Sequence, residues 1–507
     1  MTQTPRHDPV KNPPILVGVA QRTLHPGTPH EALSAAGFMA DCARQAAEDA
    51  GAPGLIDHVD AVHVVNILSE AMRDPPAEVA AALGIRPRLT EYTAIGGNSP
   101  QWLVNRAADN LAAGRSQVTL LSGCELMYSA ARQRGARLDP AAVIAALETP
   151  MVGDTRFGSH PVEVDHFADL PVRVYPIIEN ALRFRLRQSP GQQRIMLGRF
   201  AESYSHVAAG NPHAWFPVER AAADAVRATP DNRMISFPYT KHLNAVIGVD
   251  QAAAVLMATT RTARSLGIPE DRWVYLHGGQ DAHDIWFLSH RPDLAASPAI
   301  DACVGDALGQ AGIGLEDIDL FDLYSCFPCM PRLAQETLGI SPQDPRPMTL
   351  TGGLPYFGGP GSNYSMHAIA EAVGRCRDAA GAFALVTANG WYCTKHSAGV
   401  YSTASPARGW SRRAPQQFQR AMNRPRPLEI DVEPRGSFIV DGYTVWHDRD
   451  GRPETGILCG RTAEGRRAWA NTRPGDRDLL AAMMSEEWIG KTGRIVGRDD
   501  KINRIEF

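Results

Sequence analysis

Two short spacings hold the side chains best suited to metal or covalent chemistry. Cys326-Phe327-Pro328-Cys329 and Cys393-Thr394-Lys395-His396 each place two potential ligands three positions apart. If their loops meet, the pairs have the ligand set of a Cys3His zinc site. A redox pair at Cys326 and Cys329 would need a thioredoxin-like βαβ context, and none surrounds it. Phenols form a second group: Tyr324, Tyr356, Tyr364 and Tyr392 stand in or beside glycine-rich loops, where a hydroxyl can donate to an oxyanion. The glycines form a third. Gly96-Gly97 precede Asn98-Ser99-Pro100, and Gly358-Gly359-Pro360-Gly361 follow Tyr356-Phe357. Such loops let a ligand approach main-chain N–H groups closely. Ser99 offers a hydroxyl at a helix start, where serine ordinarily caps rather than attacks. Cys326 reads equally as a small buried apolar residue. His367 falls on a helix, where packing or capping outweighs catalysis.

The elements that must position these residues belong to a chain of 507 residues, too long for one core, so two or three domains are expected. Apolar residues make up 44% and charged residues 21%, the balance of a soluble globular protein. The net charge of −4 gives no reason to expect a polyanion partner. Positive charge is carried by arginine almost throughout, with lysine only at Lys11, Lys241, Lys395, Lys491 and Lys501. Residues 1–12 are polar and proline-rich and read as a disordered tail. No apolar run is long enough to span a bilayer, and the eight dispersed cysteines read as reduced thiols. A cytoplasmic protein is expected.

Strands are predicted at Ile15 to Ala20, Ala61 to Val65, Glu91 to Ile95 and Val118 to Ser122. Helices are predicted from Ser34 to Ala50, Ala77 to Leu83 and Gln101 to Ala113. The same order returns later. A helix over Pro298 to Ala311 ends at Gly312 and leads to a strand at Leu320 to Leu323, just as Ala50-Gly51 leads to Ala61. Ile95-Gly96-Gly97 resembles Phe357-Gly358-Gly359, and each loop precedes a helix and an apolar strand. Two similar α/β halves fit this repetition. Between them, residues 128–240 are rich in arginine, proline and glycine, with helical stretches at Ile177 to Leu186 and Arg194 to Ala208. They read as an insertion covering a cleft. Residues 402–427 have linker composition. From 428 to 507, short alternating strands at Ser437 to Val445, Thr455 to Cys459, Arg467 to Asn471 and Thr492 to Val496 predict a small β-barrel. Trp446, Arg461, Arg466, Arg467 and Trp469 would suit an oligonucleotide face, with packing against the body as the stronger reading.

Four loops, within a span from about residue 13 to 400, resemble the active-site loops of the thiolase superfamily, above all its sterol-carrier-protein-type branch. Asp250-Gln251-Ala252-Ala253-Ala254 and Asn211-Pro212-His213-Ala214-Trp215-Phe216 resemble further segments of that branch. With its extra C-terminal module, the chain looks like an actinobacterial thiolase-like protein. The resemblance implies a duplicated α/β thiolase fold, two βαβαβαββ halves layered α-β-α-β-α. The halves are residues 13–260, with the inserted loop domain 128–240, and 261–401. An OB-like barrel follows at 428–507.

The resemblance also places the site. Gly96 stands where the family has its nucleophilic cysteine, and Gly359 where the Gly-His-Pro loop has its histidine. Tyr324 and Cys326 match the histidine and cysteine of the His-Asp-Cys-Phe loop. Asn389 matches the cysteine of Cys-x-Gly. Tyr324 and Cys326 are thus the candidate catalytic residues, for oxyanion binding and proton transfer, while Gly97, Gly358, Gly361 and Gly390 are candidates for thioester binding. Trp391 and Tyr392 replace glycines and would narrow the cleft or pack on the C-terminal module. CoA or an acyl-CoA is the expected ligand, with no other cofactor and no metal. Without nucleophile and base, acetyl-CoA acyltransferase activity is not expected. A retro-aldol lyase acting on a β-hydroxyacyl-CoA through tyrosines is the alternative, and a barrel that binds nucleic acid or a partner is another. The family default is a homodimer, which the added domain could obstruct in favour of a monomer.

Overall fold

The structure is a computed structural model describing residues 12–27, 33–134, 139–422 and 424–507. Of the expected tail, only Asn12 falls among them, and its side-chain oxygen accepts from the Arg261 N–H at 2.9 Å. The first half runs β1 (Pro14–Thr23), α1 (Ala35–Asp49), β2 (Ala61–Val64), α2 (Pro75–Leu83), β3 (Leu89–Thr93), α3 (Ser99–Ala112) and β4 (Val118–Leu126). The insertion carries β5 (Met151–Val152), helices α4 (Pro171–Arg185) and α5 (Pro190–Ala209), and the hairpin β6 (Met234–Ser236) and β7 (Tyr239–Thr240). The half ends with β8 (Asp250–Thr259). The second half comprises β9 (Val274–His283), α6 (Pro298–Ala311), β10 (Leu320–Asp322), α7 (Cys329–Leu338), α8 (Tyr364–Asp378), β11 (Ala384–Gly390) and β12 (Lys395–Ser402). Then come α9 (Pro415–Ala421), β13 (Gly436–His447), β14 (Pro453–Thr462), β15 (Arg467–Asn471), α10 (Arg477–Ser485), β16 (Thr492–Asp499) and β17 (Ile502–Glu506).

Ten strands form one sheet in the order β10-β11-β12-β9-β1-β8-β4-β2-β3-β5. The two halves join where β1 pairs antiparallel with β9. Helices cover both faces, so central strands are apolar on both sides. In β8, Ala252, Ala254 and Leu256 enter one core while Ala253, Val255 and Met257 enter the other. Helices α1 and α2 cover the first half, α6 and α7 the second, and α3 and α8 fill the layer between. The repeat is visible atom by atom. A Cβ on Gly18 of β1 would sit 2.0 Å from Ala46 O of α1, and one on Gly278 of β9 would sit 2.1 Å from Ala307 O of α6. Each half brings its first helix onto its first strand through a residue without a side chain.

Apart from the insertion, the halves differ in one place. Where β3 stands in the first, the second has a loop around 348–361. Gly352 and Gly353 take φ of 107° and 77° there, which breaks an extended run. The buried Asp322 carboxylate holds this loop, accepting from the Leu350 N–H at 2.8 Å and the Thr349 hydroxyl at 3.1 Å.

Strands β13, β14, β15, β17 and β16 close into a barrel, with β15 and β17 parallel and α10 between β15 and β16. Two elements add to the strands expected there. The charged alternation of Ile502–Glu506 concealed β17, while α10 carries an ordinary helix signal, capped by Asp476. The insertion's hairpin extends the barrel sheet, since β6 pairs with β13. The stretch between body and barrel is pinned to the body at points, with Trp410 and Phe418 buried. Its arginines answer acids of the body: Arg412, 3% exposed, pairs with Asp109 at 2.8 Å and with Asp281.

Arg467 and Trp469 of the barrel face the body, while Arg461 and Arg466 stay about half exposed and pair with Asp441 and Glu429. Trp469 is buried and donates from Nε1 to the Ser289 hydroxyl at 2.8 Å. Arg467, fully buried, donates to Arg291 O at 2.6 Å and pairs with Asp441. Arg183 of α4, also fully buried, forms a two-pronged pair with Glu487 at 2.6 and 2.8 Å. Another buried pair ties the end of β9 to α6 and β12. Asp284 accepts from the Ala299 N–H at 3.0 Å and the Ser297 hydroxyl at 2.5 Å, and lies 3.4 Å from His396 Nε2. Ser297 stands at the N-cap position of α6, but its hydroxyl bonds Asp284, which takes the helix N–H. Burial opposes charge on His396, but Asp284 and then Cys393 outweigh it and hold its pKa at about 9.

Arg467→Ala leaves Arg291 O without its buried donor while Asp441 keeps Arg461, and is expected to cost about 1 to 3 kcal/mol, read by urea denaturation. For His396 the folded pKa lies above its unfolded value. The pair's stabilisation is therefore complete below about pH 6.5 and lost as pH rises through about 9. His396→Gln is expected to flatten this alkaline loss of stability; an unchanged pH profile of the unfolding midpoint refutes the assignment.

Candidate functional site at the head of α3

A cleft of about 380 Å³ lies beside the sequence-predicted loops. Its floor is the head of α3, with Asn98, Ser99 and Trp102, and its sides include Trp286, Lys395 and His396. Gln416, Gln419 and Arg420 of α9 complete it. The α9 wall is fixed by two hydrogen bonds, from the His283 N–H to Gln419 Oε1 at 2.7 Å and from Gln419 Nε2 to His283 O at 3.0 Å. Helix α3 begins at Ser99 with Pro100 in its first turn, and Asn98 is the N-cap residue but makes no side-chain cap bond. The cap expected of Ser99 is therefore absent. Its hydroxyl donates back to Ala94 O at 3.1 Å.

Gly96 and Gly97 have no room for a side chain. A Cβ on Gly96 would lie 2.6 Å from Asn98 Oδ1 and 2.7 Å from Lys395 Nζ. The Lys395 ammonium donates to Ile95 O, so the space beside Gly96 belongs to a lysine. A Cβ on Gly97 would lie 2.1 Å from the Tyr324 hydroxyl and 2.6 Å from Asn389 O. A Cβ on Gly390 would lie 2.5 Å from Asn98 Oδ1. Gly96, Gly97, Tyr324, Asn389 and Gly390 are thus brought together. The first turn of α8 joins them, because the Gly96 N–H donates to the Ser362 hydroxyl at 3.0 Å and the Ser365 hydroxyl to Gly97 O at 2.7 Å.

The other glycines lie elsewhere. A Cβ on Gly358 would meet Gln251 Oε1 at 2.5 Å, and one on Gly361 would meet Glu125 Oε1 at 2.2 Å. The Gly359 N–H donates to Val246 O at 2.8 Å. None of the three lines the cleft. Tyr324 and Asn389 line a separate void of about 10 Å³, too small for any ligand. Burial pushes the Tyr324 phenol well up, and it packs edge-on to Tyr364 with ring centres 5.6 Å apart. Burial likewise raises the Cys326 thiol to about 12, which leaves almost no thiolate at neutral pH.

The zinc set does not assemble among the described residues. Cys393 Sγ lies 3.8 Å from His396 Nε2, and Asp284 completes a group of three potential ligands. Cys326 and Cys329 are not in that group, and Cys329 Sγ points to Tyr175 O. The same His396 nitrogen already faces Asp284 and Ser297, so hydrogen bonding accounts for the grouping. Trp391 packs on the insertion, with its ring 5.2 Å from that of Phe157 and against Gly158. His367 is buried, bonded to Gln21 at 2.9 Å, and pushed down to about 3 by burial. It is a packed, neutral residue.

Two residues here carry no family motif. Tyr175 of α4 stacks on Phe327 with ring centres 4.6 Å apart. Its hydroxyl donates to Trp391 O at 2.6 Å and accepts from Asn389 Nδ2 at 2.8 Å. Lys395 stands inside a loop the sequence singled out, and its signal was a lysine in a chain that otherwise uses arginine. Burial lowers its pKa to about 8, with Asp154 raising it and Arg156 lowering it.

Residues 417–501 match the family model described as the additional C-terminal domain of thiolase-like protein type 1. The crystal structure of a monomeric SCP2-thiolase like protein type 1 from Mycobacterium smegmatis is 34% identical, with a TM-score of 0.82. The match covers 97% of this chain and 98% of that one. The Ltp2-ChsH2(DUF35) aldolase is 17% identical with a TM-score of 0.60, over 77% of this chain and 97% of that chain. Human mitochondrial 3-ketoacyl-CoA thiolase is 16% identical with a TM-score of 0.56, over 78% and 100%. At these identities the last two show a shared fold. No curated protein matches the chain. No helix of the described residues is long and apolar enough to cross a membrane. A thiolase fold with a closed five-stranded barrel after it, matched over nearly its whole length, places the chain in the family of SCP2-thiolase-like proteins type 1.

Proposed function

We propose that the protein holds CoA or an acyl-CoA thioester in the cleft at the head of α3, in acyl-CoA metabolism, and does not transfer acyl groups through a cysteine. The observation that carries the second half is the seat beside Gly96, which Lys395 Nζ occupies. A thiolase reaction needs a thiolate there, and the nearby Cys326 is held as a thiol. The first half rests on the family fold, the cleft of about 380 Å³ and the start of a helix at its floor, where the dipole favours a polarised carbonyl oxygen.

The retro-aldol reading has less support. It asks for a tyrosine in the cleft, whereas Tyr324, Tyr356, Tyr364 and Tyr392 are all buried and none lines it. An oligonucleotide face on the barrel has less still, since Arg467 and Trp469 are spent on the body. A monomer is the assembly we favour, as in the M. smegmatis protein. The eight free, buried cysteines agree with a reducing, cytoplasmic setting.

Titration calorimetry with CoA, acetyl-CoA and longer acyl-CoAs is expected to show saturable binding. No heat at about millimolar ligand, an affinity of only about −4 kcal/mol, rejects the reading. Restoring the nucleophile alone is expected to fail: Gly96→Cys should lower stability by about 1 to 3 kcal/mol without conferring thiolysis of acetoacetyl-CoA. Adding Lys395→Ala, which vacates the space, should recover much of that stability.

A further inference from the structure

We propose that Lys395 is an amine nucleophile, forming an imine with a ketone or aldehyde group on the molecule held in the cleft. Its Nζ lies 2.7 Å from where a Gly96 side chain would begin, so the amine takes the position from which a side chain at 96 would reach the ligand. Lys395 is 7% exposed, and what is exposed lines the cleft. One N–H is spent on Ile95 O, which fixes the amine and leaves a lone pair when it is neutral. Beside it, Asn98 Oδ1 is buried with no hydrogen-bond partner. That atom is placed to accept from a hydroxyl or an iminium N–H formed at the same spot. Burial favours the neutral amine, the form that attacks a carbonyl.

The chemistry balances without a further reagent. The neutral Nζ attacks the carbonyl carbon, a C–N bond forms, the carbonyl π pair moves to oxygen, and a proton passes from the nitrogen to that oxygen. The resulting neutral carbinolamine takes up one proton on its hydroxyl and loses it as water while the nitrogen lone pair forms the C=N bond, leaving a protonated imine. Hydrolysis reverses each step. Attack on a thioester carbonyl would instead leave an amide, which does not turn over readily, so the ligand class is one with a separate ketone or aldehyde, such as a 3-oxoacyl compound. The proposal concerns the same cleft as the thioester reading but does not need the CoA portion. Calorimetry with CoA can therefore fail while imine formation succeeds, and the reverse.

The test is reductive trapping on the full chain. The protein is incubated with acetoacetate or butanal and sodium cyanoborohydride, and modified lysines are located by peptide mass spectrometry. With lysine only at positions 11, 241, 395, 491 and 501, each site is read separately. Lys395 is expected to be modified about tenfold or more above Lys241, Lys491 and Lys501, despite being the more buried. Lys395→Met, with folding checked by its thermal melt, should abolish that adduct and leave the others. Even modification of all lysines, or a Lys395 less modified than the exposed ones, overturns the proposal, because a lysine that merely anchors Ile95 O would be protected. The wild-type map decides this even if the variant does not fold.

Discussion

Two helices begin head to head in the buried middle layer, and their first turns must satisfy each other without water. The N–H at Gly96 and the carbonyl of Gly97, before α3, are met by Ser362 and Ser365 at the start of α8. Asn363 reaches across from the same turn to Gly123 O at 2.7 Å. The junction is close-packed, with Asn98, Lys395, the Tyr324 hydroxyl and Asn389 O filling the space beside it, which leaves no room for side chains at 96, 97 and 390. It also fixes where the two halves of the sheet can sit, because α3 and α8 are the layer between them. A side chain that reacts in this region must therefore arrive from the strand next door, as Lys395 does at the start of β12.

The halves were legible because each carries the same local punctuation: a helix, a glycine and an apolar strand. The glycine loops were legible because glycine there is forced by contact. Their division of labour was not. Gly96, Gly97 and Gly390 adjoin the cleft, while Gly358, Gly359 and Gly361 press on Gln251, Leu354 and Glu125. A run of glycines looks the same whether a ligand or a buried side chain fills the space. Tyr175 was invisible for another reason: it lies in the insertion, whose helices carry no motif, and only the fold brings it to Asn389. Ser99 had the type and place of a cap, but the turn before it puts Ala94 O nearer to its hydroxyl.

Charge misled in a similar way. The arginines of 402–427 and of the barrel read from sequence as a solvated linker and a basic face. Two are structural anchors instead. Arg412 and Arg467 are each at most 3% exposed and are answered by Asp109 and Asp281, and by Asp441. A buried guanidinium needs both an acid and carbonyl oxygens to be tolerated. The acids stand far away in sequence, so pairing was not readable from composition.

The α9 segment has a consequence for the architecture as a whole. It is the stretch by which the chain leaves the body for the barrel, and it is also one wall of the cleft. Arg412 and Gln419 lock it to α3 and β9. Body and barrel are consequently not interchangeable modules. A barrel transplanted onto another thiolase-type body would bring a foreign cleft wall with it, and loss of the barrel's connecting chain would remove part of the site.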